Sequence, residues 1–417
     1  MRSNYLRTLR NICQPVRAAD YPRSLDVLRR LLAEVGNPHK RYPALVVAGS
    51  VGKGTTAART AAMLQSGGFS VGLYTGPHLH HFRERFLING EAITPGEFAE
   101  EGETLRRAAE RTGQSYSTFE QATALALWWF AQARVDVAVL EVGIGGRWDA
   151  VNVVPNAGAL ITPIEMEHAA MLGGSLHTIA FHKAGIIQPG GSAFSVPQVP
   201  VVEEVLLDVA QSLNAALSFV PFEQVPETAC QSLMAHGILN NRALNESVPV
   251  RLPGRLEVVV LHGRQMLIDG GHTALAGARL RTQIDTLLHP EENARLVVGM
   301  LDDKDVQAFL RHFDEARFTV VLTQAPGHRG IAAEVLRERA RLQRARVITE
   351  PDLNTALRTL PNASETLPVV AGSLRMAATA REAYGLLNAD ELEEARITRS
   401  VFEGEDYLAR LERRTFT

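Results

Sequence analysis

Short, uninterrupted apolar runs alternate with helix-length segments along the first half of this chain. Residues 44–48 (ALVVA) break at Gly49, a helical pattern runs from Thr55 to Gln65, Gly67 and Gly68 end it, and a second apolar run, FSVGLYT, follows at once. Strand, glycine loop, helix and strand in that order predict a right-handed βαβ unit. The runs VDVAVLE (Val135 to Glu141) and AGALIT (Ala157 to Thr162) are also continuous rather than alternating. Continuous runs are the pattern of strands buried on both faces, as in a parallel sheet covered by helices.

A second series begins at Pro253: EVVVL, MLID, RLVVGM, FTVVLT, RVIT and LPVVAGS, with helix-length segments after Asp269, Asp303, Gly330, Pro351 and Ser373. Only HGRQ separates EVVVL from MLID, which predicts a hairpin, and the remainder reads as doubly wound. The stretch from Ala193 to Leu252 is rich in proline and weakly periodic, so it separates the two series and puts the domain boundary near Leu252. Beyond Asn388 the chain is strongly charged (DELEEAR, FEGEDYLARLERR) and reads as helix.

Composition narrows the function classes. With 46% apolar and 21% charged residues in 417, the chain is expected to fold as a globular protein of two or three domains. A net charge of −3 gives no global attraction to nucleic acid or anionic lipid, so an anionic ligand must be held locally. Cys13 and Cys230 alone make no disulfide framework or metal-ligand spacing. The most apolar stretch, Ala122 to Ala131, is too short to span a bilayer, and MRSNYLRTLRNICQ lacks the apolar core of a secretion signal. The expectation is a cytoplasmic protein. Its basic residues are almost all arginine, and Lys40, Lys53, Lys183 and Lys304 are its lysines. Against that background a lysine suggests a place needing a compact or deprotonatable ammonium.

Four clusters carry candidate chemistry. Gly49-Ser-Val-Gly-Lys-Gly-Thr55 lies between a strand and a helix, where glycines let backbone wrap an anion, Lys53 reaches terminal phosphates and a hydroxyl can meet Mg²⁺. It departs from the usual phosphate-loop pattern because Gly54 separates Lys53 from Thr55. Glu141 ends an apolar strand and precedes VGIGGRWDAVN; a carboxylate there can hold a nucleotide's Mg²⁺, or bind backbone amides. Asp149 in the same run is a candidate to orient Arg147 or a substrate amine. After AGALIT come Glu165, Glu167 and His168, suited to a second divalent ion, then Lys183 in the helical run HTIAFHKAGII. A buried, unpaired ammonium is costly, so Lys183 must be paired or chemically altered. In the second series Arg255, Asp269, His272 and Ser373 sit at a junction or at strand carboxyl ends, where ligand and solvated loop residue are both open readings.

Together, VAGSVGKGTT, YTGPHLHHFRERFLINGE, LEVGIGGRWDAVNVV, HKAGII, LPGRLEVV, DGGH, VVGMLDDKDV and VAGSL resemble, in this order from Leu25 to Leu387, the folylpolyglutamate synthase and dihydrofolate synthase family of the Mur ligase superfamily. The resemblance implies an α/β chain: a P-loop-type, ATP-binding domain with a mostly parallel sheet over residues 1–252, and a smaller Rossmann-like C-terminal domain over 253–388. A charged helical tail over 389–417 follows. It implies that Gly49, Ser50, Gly52, Lys53, Gly54 and Thr55 cradle ATP phosphates, and that Thr55 and Glu141 hold a first Mg²⁺. His168, with Lys183 if carbamylated, would serve a second. Lys53, Lys183, His168 and Arg255 would be the catalytic set. Arg255, Asp269 and His272 match residues that close over the nucleotide in a cleft between domains, and Ser373 matches the closing strand's turn. Phe119 and Glu120, in Thr118-Phe-Glu-Gln-Ala-Thr123, match the family's stretch near the pterin; with Asp149 and Ser373 they form the candidate substrate set.

The chain also departs from that family. Val51 replaces a loop Asn, Gly76 the Ser of the family's TSPHL, Glu167 an Asp and Thr273 an Asn, and the adenine-contacting segment survives faintly as Phe222-Glu-Gln-Val-Pro-Glu227. The reading that follows is an ATP- and Mg²⁺-dependent ligase joining L-glutamate to a folate, or to dihydropteroate, acting as a monomer on small molecules without nucleic acid or membrane. Two rivals stay open: a Mur-type ligase for another acid and amine pair, and a nucleotide-binding paralogue without turnover.

Overall fold

The computed structural model describes residues 2–13, 24–250, 252–261, 263–289, 292–360 and 366–403. These fall into two compact units, the first within Met1–Val250 and Ile397–Glu405, the second within Arg251–Arg396. Residues 404–417 of the expected charged tail lie outside the described part.

The first unit starts with α1 (Arg2–Ile12) and α2 (Leu25–Glu34), then β1 (Ala44–Ala48), α3 (Lys53–Ser66) and β2 (Val71–Tyr74). A hairpin, β3 (Phe86–Ile88) and β4 (Glu91–Ala92), leads to α4 (Pro95–Thr112), α5 (Thr118–Gln132) and β5 (Val137–Glu141). Then come β6 (Gly158–Ile161), α6 (Leu176–Ala184), β7 (Ser192–Ser195), α7 (Pro200–Ser212), β8 (Ala216–Phe219) and α8 (Val225–Ala235). Among the described residues the sheet has eight strands in the order β4-β3-β2-β5-β1-β6-β7-β8. It is parallel from β2 to β8, and β1, β2, β5 and β6 are buried throughout, as continuous apolar runs require.

The predicted βαβ unit forms, with β5 between β1 and β2 and pairing with both. Two expectations change. Helix α3 begins at Lys53, two residues before the expected start, so the end of the glycine loop is itself helical. The weakly periodic stretch after Ala193 is no linker but holds β7, α7, β8 and α8. Pro200 and Pro226 misled the pattern, because each occupies the first turn of a helix, where its missing N–H costs nothing.

The second unit opens with the expected antiparallel pair, β9 (Glu257–Leu261) and β10 (Arg264–Ile268). It continues through α9 (Ala274–Leu287), β11 (Asn293–Val298), α10 (Val306–Leu310), β12 (Phe318–Leu322), α11 (Ala333–Ala340), β13 (Arg346–Thr349), α12 (Leu353–Arg358), β14 (Thr366–Ala371) and α13 (Leu374–Ala383). The strand order is β13-β12-β11-β14-β10-β9, parallel except at the β9 edge. Helix α14 (Ala389–Glu403) follows, and its residues from Ile397 onward group with the first unit. The apolar run Ala122 to Ala131 is the buried core of α5. No helix among the described residues is long and apolar enough to cross a membrane.

Candidate active site

The glycine loop leaves β1 in a shape few residues permit. Gly49 has φ 143°, and a Cβ there would lie 1.9 Å from Thr162 Oγ1; Gly52 caps α3 with φ 86°. Ser50 is spent on structure: its hydroxyl donates to Glu165 O (3.1 Å) and accepts from Glu165 N–H (3.0 Å). The N–H groups of Ser50 and Val51 both point to Pro163 O. Lys53, Gly54 and Thr55, whose N–H groups open the first turn of α3, are therefore the loop's candidate anion-binding groups.

Glu141 ends β5 against that turn. A Cβ on Gly54 would be 3.3 Å from Glu141 Oε2, so the glycine lets the carboxylate and the helix start come together. The same oxygen accepts the Gly76 N–H at 3.0 Å and a hydroxyl donation from Thr75, both at the end of β2. One buried carboxylate beside the Thr75 hydroxyl, at the turn that carries Thr55, is a hard oxygen donor set that fits Mg²⁺ completing its shell with water and phosphate oxygens.

Lys53 Nζ and His168 Nε2 each lie 3.9 Å from Glu167, on opposite carboxylate oxygens. Lys183 is 2% exposed, and its Nζ donates to Gly49 O at 2.5 Å. Burial, helped by the Lys53 charge, pushes its ammonium down to about 7, against a pull from Glu167 and Asp149. Two of the four lysines thus converge here, while Lys40 is exposed and Lys304 pairs with Asp303 at 2.9 Å.

The candidate substrate residues divide differently. Asp149 is buried, and its carboxylate accepts N–H bonds from Gly143 and Ile144 (3.0 and 2.9 Å) and from Val151 (3.0 Å). Burial lifts it to about 6, although those bonds and Lys53 oppose the rise. It shapes the loop after β5 rather than orienting Arg147, whose guanidinium lies 4.0 Å over the Phe181 ring. Glu120 accepts from the Ser117 N–H and hydroxyl in a capping box that starts α5. Phe119 packs on Tyr74 and fills the space a Gly143 side chain would need.

Residue-by-residue reading missed the loop after β2. Glu84 gathers the N–H groups of Leu79, His80 and His81 (2.6, 2.9 and 2.9 Å). Arg85 Nε donates to His78 Nδ1 at 3.0 Å, and its guanidinium lies 5.1 Å over Phe82. The signal was present: three histidines and an Arg-Glu-Arg run follow the carboxyl end of a strand.

In the second unit Asp269 is buried at the end of β10 and accepts the N–H groups of Leu256 (3.0 Å) and Gly271 (2.9 Å). Burial raises its pKa, and the adjacent Arg255 charge pulls it back. His272 Nδ1 lies 3.2 Å from Gly270 O, Thr273 caps α9 through Ala276 N–H, and Ser373 caps α13 through Met376 N–H.

Comparison with known proteins adds identity to this geometry. Residues 254–374 match the Mur ligase, glutamate ligase domain. The dihydrofolate synthase/folylpolyglutamate synthase of Mycobacterium tuberculosis is 32% identical over 377 residues, covering 75% of this chain and 76% of that protein. The chain belongs to the folylpolyglutamate synthase/dihydrofolate synthase family. A family relative from Haloferax volcanii, a probable bifunctional folylpolyglutamate synthase/dihydropteroate synthase, is 32% identical over 357 residues, but the chain spans only 42% of that protein's length. Among solved family structures, Escherichia coli FolC in complex with DHPP and ADP superposes with TM-score 0.78 at 27% identity, covering 92% of this chain and 97% of that one. A bifunctional folylpolyglutamate synthase/dihydrofolate synthase with Mn, AMPPNP and L-glutamate bound superposes with TM-score 0.75 at 28% identity, covering 86% and 94%.

Proposed function

We propose that this chain is an ATP- and divalent-metal-dependent amide ligase that adds L-glutamate to a folate, and to dihydropteroate. The observation that carries the reading is the convergence of Lys53, the open first turn of α3 and Glu141 with the Thr75 hydroxyl on it, in a chain of this family. The bound ligands of the solved relatives, ADP with DHPP in one and Mn, AMPPNP and L-glutamate in another, supply the substrate classes.

In this reading the N–H groups of residues 53–55 bind the terminal phosphates of ATP, and Lys53 neutralises charge that develops on them. An oxygen of the acceptor carboxylate attacks the γ-phosphorus and ADP leaves. The glutamate amine then attacks the acyl phosphate carbon, and inorganic phosphate departs as the amide forms. Thr55 and Glu141, steadied by Thr75 and the Gly76 N–H, would hold Mg²⁺, which when bound withdraws charge from the phosphoryl oxygens. Glu167 sets the spacing of Lys53 and His168, and the depressed ammonium of Lys183 favours the neutral amine from which a carbamate forms. Asp269, tied to its own loop by the Leu256 and Gly271 N–H groups, lies near Arg255, the second unit's candidate cation for the nucleotide.

Phosphate release measured with folate or dihydropteroate, with and without L-glutamate, tests the assignment. Release that needs both acid and amine is expected. Release only with other acid and amine pairs would move the chain to another Mur-type ligation, and nucleotide binding without release would make it a non-catalytic paralogue. Lys53→Ala and Glu141→Ala should lower turnover by about a hundredfold or more, because each removes charge stabilisation. Lys53→Ala should melt close to the parent protein, whereas Glu141→Ala, which leaves the Gly76 N–H and the Thr75 hydroxyl without their buried acceptor, should also melt somewhat lower.

A further inference from the structure

The second half of α14 lies beyond the stretch that resembles the family, yet it is built into the first unit. Ile397 and Val401 pack on that unit's core, and Thr398 and Ser400 are buried. The Phe402 ring stacks on Phe82 with centroids 6.0 Å apart and planes inclined by 30°, and it lies 5.4 Å from the His78 ring. The Phe82 N–H donates to Thr398 Oγ1 at 3.4 Å. Both partners of the helix, His78 and Phe82, belong to the loop after β2.

From that loop the contacts run to the reaction centre. Burial and neighbouring positive charge hold His78 well below the usual histidine range, so its ring is neutral and Nδ1 accepts from Arg85 Nε. Arg85 rests over the face of Phe82, and its Nη1 would be 2.8 Å from a Cβ on Gly76. The Gly76 N–H in turn bonds Glu141. A hydrogen bond to His78 and the ring face of Phe82 thus hold Arg85, and Phe402 touches both of the residues that supply them.

We infer that the C-terminal helix is a positioning element for the loop after β2: Phe402 and Thr398 fix His78 and Phe82, which together aim Arg85 at the Gly76–Glu141 end of the site. This inference rests on the ligase reading above, in which the acceptor carboxylate attacks the γ-phosphate beside Glu141, the end at which Arg85 is aimed. Phe402 is 48% exposed, so truncating it removes ring contacts without opening the core.

The test combines steady-state kinetics with amide hydrogen exchange on full-length Phe402→Ala and Phe402→Tyr proteins. In Phe402→Ala the KM for the folate acceptor should rise about threefold to tenfold, the range expected for losing one aromatic contact. The KM for ATP should stay within about twofold, exchange should quicken over residues 77–86 but not in α3 or β5, and Phe402→Tyr should restore both. Equal losses for ATP and acceptor, uniformly faster exchange, or unchanged exchange over residues 77–86 would overturn the inference. If the parent protein ligates nothing, the ligase reading fails on its own, and the exchange profile still decides whether the helix positions the loop.

Discussion

Gly76 shows how much one missing side chain can mean. It stands where the family carries a serine, and its backbone is not left-handed, so a turn requirement does not explain the glycine. The nearest obstacle to a Cβ is the movable end of Arg85. Gly76→Ser should therefore lower the Mg²⁺ concentration for half-maximal rate, by adding an oxygen beside Glu141, while raising the acceptor KM because Arg85 must shift. A Mg²⁺ titration with acceptor KM on both proteins checks this; an unchanged acceptor KM would show that Arg85 is not so placed. Lys183 gives a pH prediction. Its amine is charged below about 7 in the folded protein but remains charged to about 10.5 when unfolded, so the burial penalty is full below pH 7 and fades as pH rises through that window. Lys183→Met should raise the melting temperature most at pH 6 and progressively less toward pH 10. Since only the neutral amine takes up CO₂, stimulation of activity by bicarbonate should be strong at pH 8 and weaken toward pH 6. Other residue roles were not visible in sequence. Asp149, Glu120 and Ser373 looked like ligand groups, and the structure engages each with nearby backbone N–H groups. A carboxylate that caps a turn and one that holds a substrate are the same letter in a sequence.

Among the elements, β2 and α5 approach more closely than side chains normally allow. A Cβ on Gly72 would fall 2.7–2.8 Å from three atoms of the Phe130 ring, which is buried and cannot retreat. Gly72→Ala should cost about 1–3 kcal/mol in denaturant unfolding, the usual range for overpacking a core. Because β2 delivers Thr75 and Gly76 to Glu141, turnover should fall as well. The strands were legible because burial on both faces leaves a contiguous apolar signature. β8 was missed because its positions alternate between exposed and half-buried at the sheet edge. Phe222 to Glu227, read as the faint adenine segment, forms a 3-10 turn and the start of α8, with Val225 and Pro226 buried. Two of its six residues are therefore committed to packing, and only Glu223, Gln224 and Glu227 remain as polar side chains to distinguish one base from another. GTP should support ligation with a penalty below about a thousandfold, or roughly 4 kcal/mol, and a steeper preference for ATP would count against this.

For the whole molecule, nucleotide binding should be measurable as stability. AMPPNP with Mg²⁺ at a hundred times its Kd should add about 2.7 kcal/mol, and Lys53→Ala should abolish most of that shift in a thermal melt. The sequence alone determined what depends on contiguous residues: buried parallel strands, a glycine loop that opens a helix, an acid at a strand's carboxyl end, and the family those motifs compose in order. Tertiary structure decided what depends on the order of strands. Only because β5 enters between β1 and β2 does Glu141 meet Gly54 on one side and Thr75 on the other. Likewise Thr398 reaches the Phe82 N–H across 316 residues of chain, a contact no local pattern encodes. The physical reason is one of range: backbone geometry and strand burial act between near neighbours in sequence, whereas the partner of each polar side chain is chosen by how the crossovers bring distant strand ends together.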